Sequence, residues 1–387
     1  MRRIGIDERR ARLGVRHHLA VTASTPVEAA RGVVALHSTD PASVFLSVHA
    51  RTGPVEVKAI ERALYEERSL IRMLGMRRTM FVVPAELAPV IQASCTNAIA
   101  RLQRRTYTKL LTEGGAGDGG WLKEVEDATA GALATRGEAT GAQLSADVPR
   151  LRTQLLVNEG KAYASQQNIT TWVLFLLAAD GRIVRGRPRG SWTSSQYHWS
   201  PTETWLPSGI PELPIEAART ELVRLWLAAF GPGTIADLRW WTGWTAAHVK
   251  QALAAIGPAE VDLGGVIGLM LPEDLKPAPE PEPWVALLPA LDPTPMGWSE
   301  RSWYLGTHAS ALFDRSGNVG PSVWSDGRIV GGWAQRPDGE VVYRLLEDVG
   351  SDTAAAVEAA AGRLTGWIGP VRVTPRFRTP LERELTA

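Results

Sequence analysis

The chain has a single cysteine, Cys95, in 387 residues. No internal disulfide can form, and a structural zinc site built on several thiolates is excluded. Long apolar runs are missing as well, since no stretch approaches the ~18 consecutive apolar residues of a membrane helix. No membrane span is expected. The opening MRRIGIDERRARLG carries charge without the apolar core of a secretory signal after it. A reducing cytoplasm is the compartment these features suit. There is no GxxxxGK[ST] phosphate loop, no HExxH metal pair and no GxSxG nucleophile elbow. No metal and no cofactor is expected.

Net charge is low too, formally +1, yet it is unevenly spread. Residues 1–112 hold 18 Lys or Arg against 9 Asp or Glu, which leaves the remainder acidic. A basic end suits a polyanion such as nucleic acid, and a solvated face balanced by acidic neighbours explains it equally well. At 44% hydrophobic and 21% charged residues the composition is that of a globular protein, and the length suits two to four domains.

Two linkers divide the chain: the glycine-rich EGGAGDGG of residues 113–120 and the Pro-acidic run from Pro277 to Pro283. The pattern is clearest between residues 216 and 257. EAARTELVRLWLAAF is an amphipathic helix with Leu222, Trp226 and Phe230 on one stripe, stopped by Gly231 and Pro232. Thr234 then caps a short helix with Asp237 at its third position, Gly243 ends it, and Thr245 caps AAHVKQALAAI. EVDLGGVIGLML alternates around Gly264 and Gly265 as a hairpin does. Helix, helix, helix and hairpin together predict a winged helix.

Gly137, Thr140 and Leu144 repeat the spacing of Gly231, Thr234 and Leu238, which predicts a second copy whose wing is LAADGRIVRGRPRGSW. In the first block PVEAARGVVAL reads as a helix, Asp40 caps the next with Pro41 at its first position, VEVKAIERALYEERS follows, and LIRMLGMRRTMFVVP supplies paired strands. After Trp284 the period changes to two, with hairpin pairs at Ser316-Gly317, Asp326-Gly327 and Asp338-Gly339 and one closing helix, TAAAVEAAAGRLTGWI. The expected fold is α+β: three tandem winged helices over residues 1–113, 121–207 and 216–275, then a mostly β, barrel-like domain over 284–387. Cys95 should lie in a buried helix, most of the 15 Trp in cores, and His17 and His18 in solvent or facing phosphate.

The stretches LHSTDPASVFLSVHAR, SLIRMLGMRRTMFVVP, FGPGTIADLRWWTGWT, LLPALDPTPMGW and FDRSGNVGPSVWSDGRIVGGWAQR resemble the winged-helix DNA glycosylases related to AlkZ and YcaQ. The resemblance spans nearly the whole chain. It implies three winged helices and a β-barrel curved around duplex DNA, and excision of bulky or crosslinking alkyl adducts. The implied partner is double-stranded DNA carrying alkylated purines, with self-resistance to a DNA-alkylating natural product as a candidate setting. The family's catalytic motif sets two polar residues around a usually apolar one, as Gln-x-Gln or Gln-x-Asp, and His37, Ser38 and Thr39 occupy those positions. This chain departs from both patterns, with no Gln and a polar middle residue.

The chemistry suits so small a motif, because an N7-alkylguanine already carries positive charge and leaves readily. The site must place a water near C1′ and stabilise an oxocarbenium-like sugar. His37, at its ordinary pKa of ~6.5, would accept a proton from that water, and Thr39 would orient it. Asp40 is read first as a helix cap and second as a stabiliser of the cation. Arg77 and Arg78 at a strand start, and Arg182, Arg185, Arg187 and Arg189 on the middle wing, are candidate phosphate contacts, with a solvated wing as the alternative. Gly264 and Gly265 would let a hairpin enter the minor groove, though turn chemistry accounts for them equally well. The competing reading is a non-enzymatic winged-helix DNA-binding protein such as a transcription regulator. No coiled-coil heptad or dimer helix is present, which favours the enzyme and a monomer.

Overall fold

Polar caps set where the helices begin, and the computed structural model describes residues 1–157, 160 and 164–387. The first block runs β1 (Arg2–Arg3), α1 (Ile6–Arg16), α2 (Pro26–Gly32), β2 (Leu36–His37), α3 (Pro41–His49), α4 (Val57–Glu61), β3 (Leu70–Leu74) and β4 (Met80–Pro84). Thr25 and Asp40 cap α2 and α3 by accepting from Glu28 N and Ala42 N, each with Pro at the first helical position. The strands pair antiparallel in the order β2-β4-β3. α5 (Ala88–Ile91) and α6 (Asn97–Glu113) follow, joined by a π-helical turn that buries Cys95. Burial pushes this thiol up to about 11, so it stays protonated and unreactive.

The second block comprises α7 (Gly119–Arg136), α8 (Gly141–Asp147), β5 (Gln154–Val157), β6 (Ser165–Asn168), α9 (Thr170–Ala179), β7 (Ile183–Pro188) and β8 (Tyr197–Pro201), followed by the short α10 (Thr202–Trp205). The third comprises α11 (Ile215–Phe230), α12 (Ile235–Thr242), α13 (Ala246–Ile256), β9 (Ala259–Asp262) and β10 (Ile267–Met270). One device recurs in all three. A short segment ahead of the second helix pairs with the last strand: Leu36 with Val82, Ala139 with Trp199, Gly233 with Leu269. Thr140 and Thr234 therefore occupy matching positions, and each closes a capping box, with Gln143 and Asp237. The second block differs by the β5-β6 hairpin inserted before its third helix.

Two arrangements depart from the sequence-based expectation. β1 pairs in parallel with β9, Arg2 opposite Val261, and α1 packs on α11, so the extreme N-terminus joins the third block rather than the first. The expected barrel is also absent. β11 (Val285–Leu288), β12 (Ser322–Ser325), β13 (Arg328–Gln335) and β14 (Val341–Leu345) form an open antiparallel meander with β11 and β14 as its edges. α14 (Ser302–Leu305) and α15 (Ala309–Leu312) lie between β11 and β12, and α16 (Ser351–Ile368) and α17 (Pro380–Leu385) end the chain. α16 packs against both edge strands through Val357, Ala361, Leu364 and Ile368. A helix buries the surface that strand closure would have buried, so the region is mixed rather than mostly β.

A buried ion pair joins these parts. Arg51, at the end of α3, and Asp292, after β11, are both wholly buried and meet at 2.6 Å. Ser47 donates to Asp292 at 2.7 Å, and Arg51 donates to Thr294 at 2.7 Å. His17 completes the network: Nδ1 meets the Thr294 hydroxyl at 2.9 Å and Nε2 the Ala229 carbonyl at 3.2 Å. His17 is thus a core residue, not a solvated one. Only the pairing with α11 and the 289–294 loop makes this possible, and neither is visible from its Arg16-His17-His18 surroundings.

Burial holds three histidines neutral: His17 and His37 are pushed down to about 3 and His49 to about 4, aided by Arg51, Arg77 and Arg363 respectively. In the unfolded chain the same groups titrate near 6.5. The unfolded state therefore binds more protons below that pH, and stability, fully present above pH 6.5, is lost as pH falls toward 4. The expected slope is on the order of 1 kcal/mol per pH unit for each histidine. Urea unfolding should give a clearly lower stability at about pH 5 than at about pH 7; equal values would contradict the burial of these rings.

Candidate active site

β2 and the α3 cap hold the His-Ser-Thr segment rigid. His37 pairs with Phe81 of β4, Ser38 N donates to the Met80 carbonyl at 2.9 Å, and Arg72 donates to the Ser38 carbonyl at 3.2 Å. The His37 ring stands edge-on to Phe81, 5.5 Å between centroids, and the residue keeps 9% exposure. Thr39 N approaches His37 Nδ1 at 3.5 Å, which favours the proton on Nε2. Burial first and Arg77 second hold the ring neutral with a pKa of about 3, not the ordinary value expected from sequence. Such an imidazole is a weak base and a good hydrogen-bond donor.

Thr39 and Ser38 open onto a cleft of about 670 Å³. Its walls come from three places: Met80 beside the motif, Thr140, Phe175, Arg185, Arg189, Tyr197 and Trp199 from the second block, and Arg376 from the C-terminal segment. His37 stands behind Thr39 and does not line the cleft. Asp40 is turned away, because Oδ1 accepts from Ala42 N and Oδ2 from Arg376 N, both at 3.1 Å. Burial raises its carboxyl pKa while these two amides oppose the rise. Asp40 thus caps α3 and ties the 370s to the motif.

The candidate arginines divide sharply. Arg187 is held by Glu61 at 2.9 Å and Glu66 at 3.2 Å, and Arg182 by Asp127 at 2.9 Å. In the free protein their charge is answered by these carboxylates, so a phosphate contact by either would have to displace an ion pair. Arg185 and Arg189 reach the cleft and have no ion pair among the described residues. Arg77 and Arg78 sit exposed at the tip between β3 and β4, both with left-handed backbone, φ 52° and 59°. Arg77 lies over Trp240 at 4.2 Å, which links the first and third blocks, and Arg78 over Phe175 at 5.3 Å. Gly264 and Gly265 form the β9-β10 turn with φ 87° and 93°, their amides donating to Asp262. Val266 and Ile267 beside them are more than half exposed. Among the described residues no three His, Cys, Asp or Glu side chains converge as metal ligands, and no helix is long and apolar enough to cross a membrane.

The family described as DNA glycosylase AlkZ-like matches residues 30–367, which include the motif and all the cleft walls but Arg376. The chain belongs to the AlkZ-like DNA glycosylase family. Among solved structures it is similar to the Streptomyces sahachiroi DNA glycosylase AlkZ, at 20% identity and a TM-score of 0.74, over 94% of this chain and 97% of that one. No curated protein matches the chain. AlkZ-like proteins are enzymes, and the mixed α/β fold is shared with AlkZ over nearly its whole length.

Within this AlkZ-like chain, sequence reasoning did not assign Arg72, Met80, Thr140, Phe175, Tyr197, Trp199 or Arg376 to the site. Arg72 sits in an apolar strand run and Arg376 lies over 330 residues from Thr39, whose carbonyl it approaches at 3.4 Å. SQYHWS, bearing Tyr197 and Trp199, follows the arginine run after five intervening residues, and that nearness is the one available signal.

Proposed function

We propose that the chain hydrolyses the N-glycosidic bond of bulky, cationic alkylpurines such as N7-alkylguanine in double-stranded DNA, acting as a monomer at the cleft beside His37 and Thr39. The observation that carries this reading is the meeting of the motif with a roomy cleft whose Arg185 and Arg189 lack carboxylate partners among the described residues. A cationic purine needs no general acid, so the site has only to hold a water against C1′ and tolerate a developing oxocarbenium. The Thr39 hydroxyl borders the cleft and suits the first task, and the reading requires that the Nε2–H of neutral His37, which does not line the cleft, reach the same water past Thr39. The neutrality of His37 also spares the developing cation a second positive charge.

On this reading the three blocks act as winged helices. Their common order of helix, short pairing segment, two helices and two strands supports that assignment. The Gly264-Gly265 turn, with exposed Val266 and Ile267, has the shape of an apolar wedge for the minor groove. Phosphate contact falls to Arg77, Arg78, Arg185 and Arg189. Arg189→Ala should lower the slope of log affinity against log salt by about 0.9, one phosphate's worth, whereas Arg187→Ala should leave it unchanged. Equal slopes for wild type and Arg189→Ala would remove Arg189 from the interface.

A substrate panel tests the lesion class. Duplexes bearing N7-methylguanine, a bulkier N7-alkylguanine or uracil should give alkali-labile sites with the first two and none with neutral uracil, which needs leaving-group protonation. Excision of uracil at a comparable rate would refute the cationic-purine assignment.

A further inference from the structure

The turn between β7 and β8, residues 189–196, is polar and largely open to solvent, and Trp192 is its one buried residue, 6% exposed. That indole does not pack in the core of its own block, where Ile183 and Trp199 lie. It reaches instead into the core of the first block, with ring centroids 5.1 Å from Phe45 of α3 and 5.9 Å from Trp367 of α16. The seat is itself fixed. His49 of α3 stacks on Trp367 at 4.3 Å, and the Trp367 indole N–H donates to the Val55 carbonyl at 2.6 Å.

Among the described residues the hydrogen bonds of the turn stay within it, from Arg189 N to the Gln196 carbonyl at 2.7 Å and from Ser194 N to the Ser191 carbonyl at 2.9 Å. Such bonds give the turn its shape but not its place. Arg187 ties β7 to Glu61 and Glu66 just before the turn, and beyond that point the buried ring is what fixes it. Arg189, Ser195 and Gln196 of the same turn wall the cleft together with Ser38, Thr39 and Met80. Phe45 belongs to the helix whose Asp40 cap directly follows Thr39. One side chain therefore joins the turn that walls the cleft to the helix that carries the motif.

We propose that Trp192 is a positioning and specificity-determining residue: seated between Phe45 and Trp367, it latches the β7-β8 turn to the motif-bearing helix and so sets the size of lesion the cleft holds in place. This rests on the reading of the cleft as the place of excision and deepens it. A pinned wall holds a small lesion against the motif; a released one gives that lesion room to move and admits a larger one more readily. Trp192 touches no substrate on this account and acts through the wall.

The test pairs native proteolysis with lesion preference. Trypsin does not cut before proline, so of Arg187 and Arg189 only Arg189 reports on the turn. The cut after Arg189 should come at least about tenfold faster in Trp192→Ala than in wild type. In the same variant the ratio of single-turnover rate constants for an N7-methylguanine over an N7-benzylguanine duplex should fall about tenfold. Partial misfolding lowers the amplitude with both duplexes alike and leaves this ratio unmoved. Trp192→Phe keeps a ring in the seat and should return the ratio to within about twofold of wild type. Trp367→Leu removes the seat from the other side and should reproduce both shifts, and combining it with Trp192→Ala should add little to either alone. Should Trp192→Ala not fold, Trp367→Leu decides, and wild-type proteolysis or a wild-type ratio in it overturns the proposal. Unchanged cutting after Arg189 in folded Trp192→Ala overturns the latch, and faster cutting with an unchanged ratio overturns its role in specificity. Faster cutting in Trp192→Ala beside a wild-type protein that excises neither lesion rejects the reading of the cleft and leaves the latch standing.

Discussion

His37→Ala is expected to slow single-turnover excision of N7-methylguanine by ~10² to 10³ while leaving duplex affinity nearly unchanged. That is the usual cost of removing one preorganised donor whose contribution is made in the transition state. Because burial and Arg77 hold the ring near 3, His37 does not titrate in the neutral range. The wild-type rate should therefore be level from about pH 8 down to about pH 5, measured where the fold is intact. A limb with a midpoint near 6.5 would show that His37 acts as a base with an ordinary pKa, contrary to its burial. His37→Gln keeps a neutral side chain with both donor and acceptor and should recover much of the lost rate; Thr39→Ala should cost less than His37→Ala, since solvent can replace one hydroxyl. Equal rates for His37→Ala and wild type would move the chemistry away from this residue.

The second large effect concerns the frame. Asp292→Ala should destabilise the protein by about 3–5 kcal/mol, because it strands the wholly buried Arg51 without a counter-charge and removes an acceptor from Ser47. The pair is a poor source of net stability but an exacting constraint, since α3, α1 and the 289–294 loop must all be in place to satisfy it. Arg51→Met with Asp292→Leu removes both charges at once and should cost much less than either single change. If urea unfolding finds the single and double variants alike, the network does not hold α3 and its cap in place.

Local grammar carried the helices and turns. The capping residues Asp40, Thr140 and Thr234, the stop at Gly243 and the hairpin at Gly264-Gly265 could all be read because each rests on a few consecutive residues. What failed depended on partners distant in sequence. The C-terminal strands were legible from their period, but closure depends on what meets β11 and β14, and α16 meets both. Arg187 and Arg189 look alike in RGRPRG, yet Glu61 and Glu66, more than 120 residues away, neutralise only the first. Asp237 was half understood: one oxygen caps α12 as its spacing predicts, and the other receives Ser299 and Glu300 from the C-terminal region. The pKa of His37 was misjudged for the same reason, since the sequence does not show that Phe81 and Arg77 enclose it.

The most direct test of the central claim is a time course of base release under single-turnover conditions from a duplex with one N7-methylguanine opposite cytosine. Free N7-methylguanine should appear together with alkali-labile sites at the lesion, at equal yield, and the rate should collapse in His37→Ala without loss of binding. Tight binding of the lesion duplex by the wild-type protein with neither free base nor abasic site would contradict the account and favour a DNA-binding protein that does no chemistry.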